Sequence, residues 1–257
     1  MPTAVITGAS VGIGRAFAHL FAREKFDLVL IARSQAQLDS LAAELRQSTG
    51  RTVLTIAQDL SEPGATGKVY EEVSRSGLPV DVLINNAGFG TLGRFWEVDR
   101  QQQLQMIQLN VAALTDLTRL FLPSFVENRR GRILNIASTA AFQPGPLMSV
   151  YYASKAYVVS FSQAVHNEAR FYGVTVTCLC PGPTKTEFAE RAGMNATKLF
   201  SGKMSMSAER VAEIGYRAMK RGRPLVIAGR LNALGAFLTR FAPMRLTAAL
   251  ARRMQET

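Results

Sequence analysis

Tyr151 and Lys155 stand four residues apart in a stretch whose apolar spacing predicts a helix over 150–172. One helical turn separates them, so their side chains share a face. A free phenol has a pKa of about 10, which makes it a sluggish proton donor or acceptor near neutrality. An adjacent ammonium favours the phenolate and brings the group closer to useful acid/base strength. Alone, such a pair is most often surface decoration, because i,i+4 neighbours are common. Tyr152 stands beside it, but only Tyr151 has a lysine at +4. A second chemical feature lies near the start, where an apolar run over 4–7 leads into Thr7-Gly8-Ala9-Ser10-Val11-Gly12-Ile13-Gly14 and a helix opens. Glycines let a backbone turn tightly and approach a pyrophosphate, and the helix behind them offers free N–H groups and a positive dipole end. On its own this is equally a tight strand-to-helix turn.

The elements that must position these groups follow a regular pattern. Apolar runs at 4–7, 28–31, 53–57, 82–84, 133–137, 174–180 and 225–228 alternate with helical stretches. Those helices are expected over 13–24, 35–48, 64–76, 100–128, 150–172 and 208–221. Short apolar runs between amphipathic helices indicate strands covered on both faces, hence a parallel sheet. The expected fold class is α/β: a doubly wound, mostly parallel, Rossmann-like sheet of about seven strands, with ligands at the strands' carboxyl ends. The 257 residues suit a single domain over 1–229 with a C-terminal helical extension over 230–257.

The spacing G-x-x-x-G-x-G differs from the common dinucleotide fingerprint and resembles the turn of the short-chain dehydrogenase/reductase family. Further marks of that family follow in order. Asp59-Leu60 comes after the third strand, and Asn85-Asn86-Ala87-Gly88 after the fourth resembles the family's N-N-A-G. Asn110 lies in the long helix, Ser138 closes the fifth strand, and Tyr151-x-x-x-Lys155 opens the next helix. Pro181-Gly182-Pro183 with Thr184 and Thr186 follows the sixth strand. The resemblance covers residues 3 to about 228 and implies an oxidoreductase passing a hydride between a nicotinamide cofactor and a carbonyl or alcohol. It implies that Tyr151 gives the carbonyl oxygen its proton and that Ser138 holds the same oxygen. It further implies that Lys155 also holds the nicotinamide ribose and that Asn110 helps carry a water-mediated proton path. The implied cofactor site comprises Gly8, Ser10, Val11, Gly12, Ile13 and Gly14, then Asp59 and Leu60, where the acid meets the adenine. Asn85, Asn86, Ala87, Gly88, Tyr151, Lys155, Pro181, Gly182, Thr184 and Thr186 complete it. The competing class is a binding or regulatory protein that keeps the fold and senses the nicotinamide redox state. The complete set Asn110, Ser138, Tyr151 and Lys155 favours the enzyme.

Cofactor choice is read at the end of the second strand. Members that prefer NAD carry an acid there for the ribose 2′-OH, whereas this strand ends Ala32-Arg33 and its one acid, Asp27, is at the wrong end. A 2′-phosphate would meet the Arg33 guanidinium and no repelling carboxylate, so the expected cofactor is NADP(H). Arg33 is alternatively a solvated helix-start residue. Some NADP-using members also carry a basic residue just before the second glycine, where this chain has Val11.

Composition narrows the rest. Two cysteines, Cys178 and Cys180, sit two apart in an apolar run and read as small buried hydrophobes, not metal ligands or disulfide partners. That usage, with neither a leader nor an uninterrupted apolar span of about 18 residues, leads to a cytoplasmic expectation. His19 and His166 lie in predicted helices without aspartate, cysteine or second histidine at useful spacing and read as structural. Apolar candidates for the substrate pocket are Phe89, Leu92, Phe142, Met148, Phe188 and the segment 194–200, favouring a lipophilic or aromatic ketone or aldehyde.

The formal net charge of +11 is uneven: residues 191–257 hold 13 Lys or Arg against 3 Asp or Glu, and residues 1–190 hold 17 against 16. No nucleic-acid partner is expected, since neither a stacking platform nor a DNA-reading motif accompanies the charge. In the extension, Leu231, Leu234, Leu238 and Phe241, then Leu246, Leu250 and Met254 after Pro243, recur at helical spacing among Arg240, Arg245, Arg252 and Arg253. These faces could cover the pocket and core, join a homo-oligomer (dimer or tetramer), or lie weakly on an anionic membrane. Contact with protein is the expectation, because amphipathic helices usually bury against protein.

Overall fold

The computed structural model describes residues 1–188, 192 and 205–256. Seven strands form one parallel sheet: β1 (Thr3–Thr7), β2 (Asp27–Ala32), β3 (Val53–Ala57), β4 (Val80–Asn85), β5 (Gly131–Ile136), β6 (Val174–Cys180) and, after a short β7 (Thr184–Lys185) paired with β8 (Met206–Ser207), β9 (Leu225–Ile227). The order β3-β2-β1-β4-β5-β6-β9 reverses direction between β1 and β4. There the carboxyl ends of the strands part, which makes the crevice of a doubly wound fold. The two-residue β7 and β8 are too short to be read from sequence.

Helices cover both faces: α1 (Gly12–Arg23), α2 (Gln35–Thr49), α3 (Ala65–Arg75), α4 (Arg100–Ile107), α5 (Leu114–Glu127), α6 (Ser149–Ala169), α7 (Ala208–Lys220), α8 (Arg230–Leu238) and α9 (Met244–Gln255). Because both faces are buried, the strands are mostly apolar, and alternate residues feed opposite cores. Ala4, Ile6, Leu28 and Leu30 pack with Phe17, Phe21 and Leu38 of α1 and α2. Val5, Val29, Ile31 and Leu83 pack with Val69, Phe121 and Val165 on the other side. Between β4 and β5 runs a buried polar chain. Asn85 Nδ2 donates to Thr118 Oγ1 (3.1 Å) and Asn135 Oδ1 (2.9 Å), and Asn135 Nδ2 donates to Ser162 Oγ (2.9 Å).

Two elements differ from expectation. The helix expected over 100–128 is divided by a π-helical turn, Gln108–Ala113, between α4 and α5. One wider turn leaves the apolar spacing nearly intact, so periodicity does not reveal it; such turns collect at functional sites. The extension folds as the two helices expected around Pro243, but their leucine faces do not pack on the body of the chain. The small-residue faces turn inward, burying Ala236, Thr247, Ala251 and Gln255, while Leu231, Leu234, Phe237, Leu238, Leu246 and Leu250 stay exposed. Within one chain the leucine faces therefore cover neither pocket nor core. Small side chains let these helices approach closely on that side.

Gly131 opens β5 against the ring of Phe125, and a Cβ there would run into that ring, which is buried in the core. Gly131→Ala is expected to destabilise the fold by about 1–3 kcal/mol through overpacking. A lower urea midpoint at unchanged m would register it, and an unshifted midpoint would contradict the packing described.

Candidate active site

The crevice is a cleft of about 580 Å³ that runs from the glycine turn to Tyr151. Gly8 (φ +63°) and Gly12 (φ +54°) adopt left-handed conformations that side chains resist. A Cβ on Gly14 would run into the Gly8 carbonyl oxygen, so only glycine lets α1 start there. The turn is closed from β4. Thr7 Oγ1 accepts from the backbone N–H groups of Asn86 (2.9 Å) and Ala87 (3.0 Å), and Asn86 Nδ2 donates to the carbonyls of Thr7 (3.0 Å) and Gly8 (3.1 Å). Helix α1 begins after Val11 with neither a side-chain cap nor an acid in its first turn, whereas α2 and α7 are capped by Ser34 and Ser207. Uncapped N–H groups at a helix N-terminus lining a cleft are an anion site. The residues present thus fit a dinucleotide.

Across the cleft, Tyr151 and Lys155 project from α6, and both side chains are buried. Ser138 leaves β5, accepts from the Ala140 N–H (3.1 Å), and is hydrogen-bonded to the Tyr151 side chain. Lys155 Nζ donates to the Ile136 carbonyl (2.9 Å) and lies 5.8 Å from the Tyr151 ring centre. The expected lowering of the Tyr151 pKa is not what the site does in this state. Burial pushes the phenol up to about 12, against a smaller downward pull from the Ser138 hydrogen bond. Burial also brings Lys155 down to about 8. Desolvation is the largest cause for both groups and disfavours the charged form of each. Tyr151 therefore holds its proton at neutral pH, as a donor must.

Among the expected residues, Gly8, Ser10, Val11, Gly12, Ile13, Arg33, Asp59, Leu60, Asn86, Ala87, Gly88, Ser138, Tyr151, Lys155, Pro181, Gly182, Thr184 and Thr186 all line the cleft. Gly14 and Asn85 do not: Gly14 packs under the turn, and Asn85 turns into the polar chain between strands. Asn110, in the π turn, is buried and clamps Phe89 on both sides, accepting from its N–H (3.1 Å) and donating to its carbonyl (2.9 Å). It also donates to Ser154 Oγ (3.1 Å). Its observed work is to position the loop after β4. Phe89, Met148 and Phe188 line the substrate end. Phe142 packs elsewhere, with Leu114 and Val158, and Leu92 supports the pocket cluster from behind. The expected segment 194–200 lies outside the described residues. His166 meets the Val176 backbone through Nδ1 (2.8 Å) and His19 lies 3.8 Å from Glu44, both away from the cleft.

Sequence reasoning missed Thr7 as the latch of the turn and Tyr152 as a wall of the pocket. Tyr152 lines the cleft and accepts a hydrogen bond from Gln255 Nε2 (2.6 Å), near the end of α9. Its ring packs against Gly145, where any Cβ would collide with it. That Gly145 precedes Tyr152 by seven residues in a loop was the available signal.

A doubly wound sheet with an uncapped phosphate turn facing a Ser–Tyr–Lys set defines a dinucleotide-binding oxidoreductase. Comparison with known proteins agrees. The family model described as short chain dehydrogenase matches residues 2–196, and the chain belongs to that family. It is 36% identical to a very-long-chain 3-oxoacyl-CoA reductase-like protein of Arabidopsis thaliana over 82% of this chain and 70% of that one. It is 34% identical to 17-beta-hydroxysteroid dehydrogenase type 3 of Mus musculus, over 80% and 65% respectively. With the very-long-chain 3-oxoacyl-CoA reductase of Bos taurus the match spans only 61% of the relative's length. Among solved structures, a short-chain dehydrogenase from Sphingobium yanoikuyae in complex with NADPH superposes with a TM-score of 0.83 at 34% identity, covering 94% of this chain and 95% of that one. A family member from Burkholderia phymatum in complex with NAD gives 0.83 at 27% identity, covering 92% of each.

The shifted ionisations predict a pH profile. Below about pH 8 Lys155 is charged and Tyr151 protonated, and above it the ammonium is lost while the phenol keeps its proton to about 12. For carbonyl reduction, kcat/KM, which reports the free enzyme, is expected to be level to about pH 8 and to fall above it. A profile flat to pH 10 would contradict this.

Proposed function

We propose that the chain is an NADP(H)-dependent carbonyl reductase, or alcohol dehydrogenase in reverse, acting on a lipophilic or aromatic ketone or aldehyde. The observation that carries this reading is the Ser138–Tyr151–Lys155 set, its tyrosine and lysine buried, at the apolar end of a cleft that begins at an uncapped helix. Bound in that cleft, the nicotinamide would supply or accept the hydride. Tyr151 donates its proton to the substrate oxygen, Ser138 hydrogen-bonds the same oxygen, and the Lys155 ammonium steadies the negative charge that develops. Lys155 would also hold the nicotinamide ribose, the α1 N-terminus the pyrophosphate, and Asp59 with Leu60 the adenine. Asn110, beside Lys155 across Gly88, serves the proton path through the loop it positions.

NADP(H) is favoured by the exposed Arg33 on the cleft wall, where β2 ends Ala32-Arg33 with no acid at the strand's end in sequence. The substrate class rests on the Phe89, Met148, Tyr152 and Phe188 lining, and on relatives named for a very-long-chain 3-oxoacyl-CoA and a 17-beta-hydroxysteroid. We take the enzyme to be cytoplasmic, in keeping with two free, buried cysteines. A homo-oligomer, dimer or tetramer, is supported by exposed Leu104, Ile107 and Tyr157 on α4 and α6.

Two measurements test this reading. Tyr151→Phe is expected to lower kcat by about 10²–10⁴-fold on a ketone that the parent reduces, with NADPH affinity nearly unchanged. A folded variant retaining most of its kcat removes Tyr151 as the acid. In titrations, NADPH should bind more tightly than NADH by about 1–3 kcal/mol, and Arg33→Ala should erode NADPH binding alone. Equal affinities in the parent would sink the NADP(H) assignment.

A further inference from the structure

Helices α8 and α9 bury their small faces and present their large apolar side chains outward. Leu231 is 68% exposed and Phe241 74%, with Leu234, Leu238, Leu246 and Leu250 beside them in sequence and likewise exposed. Scattered surface leucines are ordinary, but so many within 20 residues mark a surface that something covers. Residues 230–257 carry five arginines and a single acid, Glu256, which is already paired with Arg252 at 2.6 Å. Arg240, Arg245 and Arg253 are exposed among the leucines.

That charge distinguishes the occupants. A two-fold contact between copies sets the same patch against itself, so two net positive faces, each with five arginines and one glutamate, would meet at an electrostatic cost. An anionic lipid surface offers apolar depth to the leucines and opposite charge to the guanidiniums. We propose that α8 and α9 form a docking face that lies on an anionic membrane surface, leucines inserted among the acyl chains and arginines at the headgroups. The helices do not span: among the described residues no helix is long and apolar enough to cross a membrane.

The inner side of the same two helices adjoins the cleft. Asn232 of α8 lies so close to Gly182 that a Cβ there would collide with it, and Gln255 of α9 donates to Tyr152. Gly182 and Tyr152 both line the cleft. Docking would thus place the cleft one helix layer from the lipid from which an apolar carbonyl compound partitions. This last consequence rests on the lipophilic-substrate reading, whereas docking itself does not.

The test uses the full chain without substrate, so the two readings fail separately. It is sedimented with phosphatidylcholine vesicles and with vesicles that also contain phosphatidylserine. Pelleting is expected with the anionic vesicles and to weaken as salt rises, since exposed charge is screened within about 8–10 Å at 0.1–0.15 M. The double variant L234E/L250E should lower partitioning at least about tenfold. Arg245→Ala and Arg253→Ala should each lower it about fivefold, the equivalent of about 1 kcal/mol per basic residue at such a surface. NADPH titration of each variant, expected to be unchanged, shows that it is folded. Absence of pelleting, or equal pelleting on both vesicle types, overturns the proposal. So does a solution mass that halves in L234E/L250E, which would assign the face to a second copy.

Discussion

The hydroxyl of Thr7 and the side-chain amide of Asn86 hold together the two strand ends on which the rest of the site depends. Each group is committed more than once: the hydroxyl accepts two backbone N–H groups and donates to the Ile84 carbonyl at 3.2 Å, and the amide spans two carbonyls of the turn. That latch extends the β1–β4 ladder and holds the turn after β1 against the loop after β4. The turn sets where the N-terminus of α1 points, and the loop carries Gly88 toward Lys155. A Cβ on Gly88 would sit 2.9 Å from Asn110 Oδ1 and 3.4 Å from Lys155 Nζ, so anion site and acid site share one narrow wall.

The chemistry is installed against the preference of its own groups. Burying a phenol and an ammonium together raises one pKa and lowers the other, the direction that makes both groups less charged. For Lys155, with a folded value near 8 against an ordinary 10.5, the unfolded chain holds the extra proton between those limits. Stability conferred on the fold therefore rises with pH across that window. At neutral pH the fold carries a charged lysine that it would be more stable without, and the Ile136 carbonyl is the partner that makes this tolerable.

Much of this was legible in the sequence, and what escaped did so for identifiable reasons. The strand pattern and the glycine turn survive translation into structure because burial on both faces and positive φ leave few other residues possible. Asn85 and Asn86 are adjacent, yet a strand end sends neighbours to opposite sides, so one tethers β5 and the other latches the turn. Motif matching treats them alike. The Tyr151 ionisation was misjudged because spacing reveals the neighbouring lysine but not the loss of water around both groups. Periodicity likewise found the apolar faces of α8 and α9 correctly and could not say which way they turn. Orientation depended on Ala236, Thr247 and Ala251, the side chains small enough to admit a close approach.

The pairing of β1 with β4 has a consequence for how the chain is made. Hydrogen-bonded partners across that seam lie 77 to 80 residues apart, whereas β2 follows β1 almost at once. At synthesis rates of about 5–20 residues per second, one edge of β1 waits roughly 4–15 s for its partner to leave the ribosome. Ala4, Val5 and Ile6 lie on that edge, fully apolar and able to pair with any passing strand. The nascent chain is therefore most vulnerable to aggregation at the seam that later forms the cleft, and a chaperone acting early would have most to protect there.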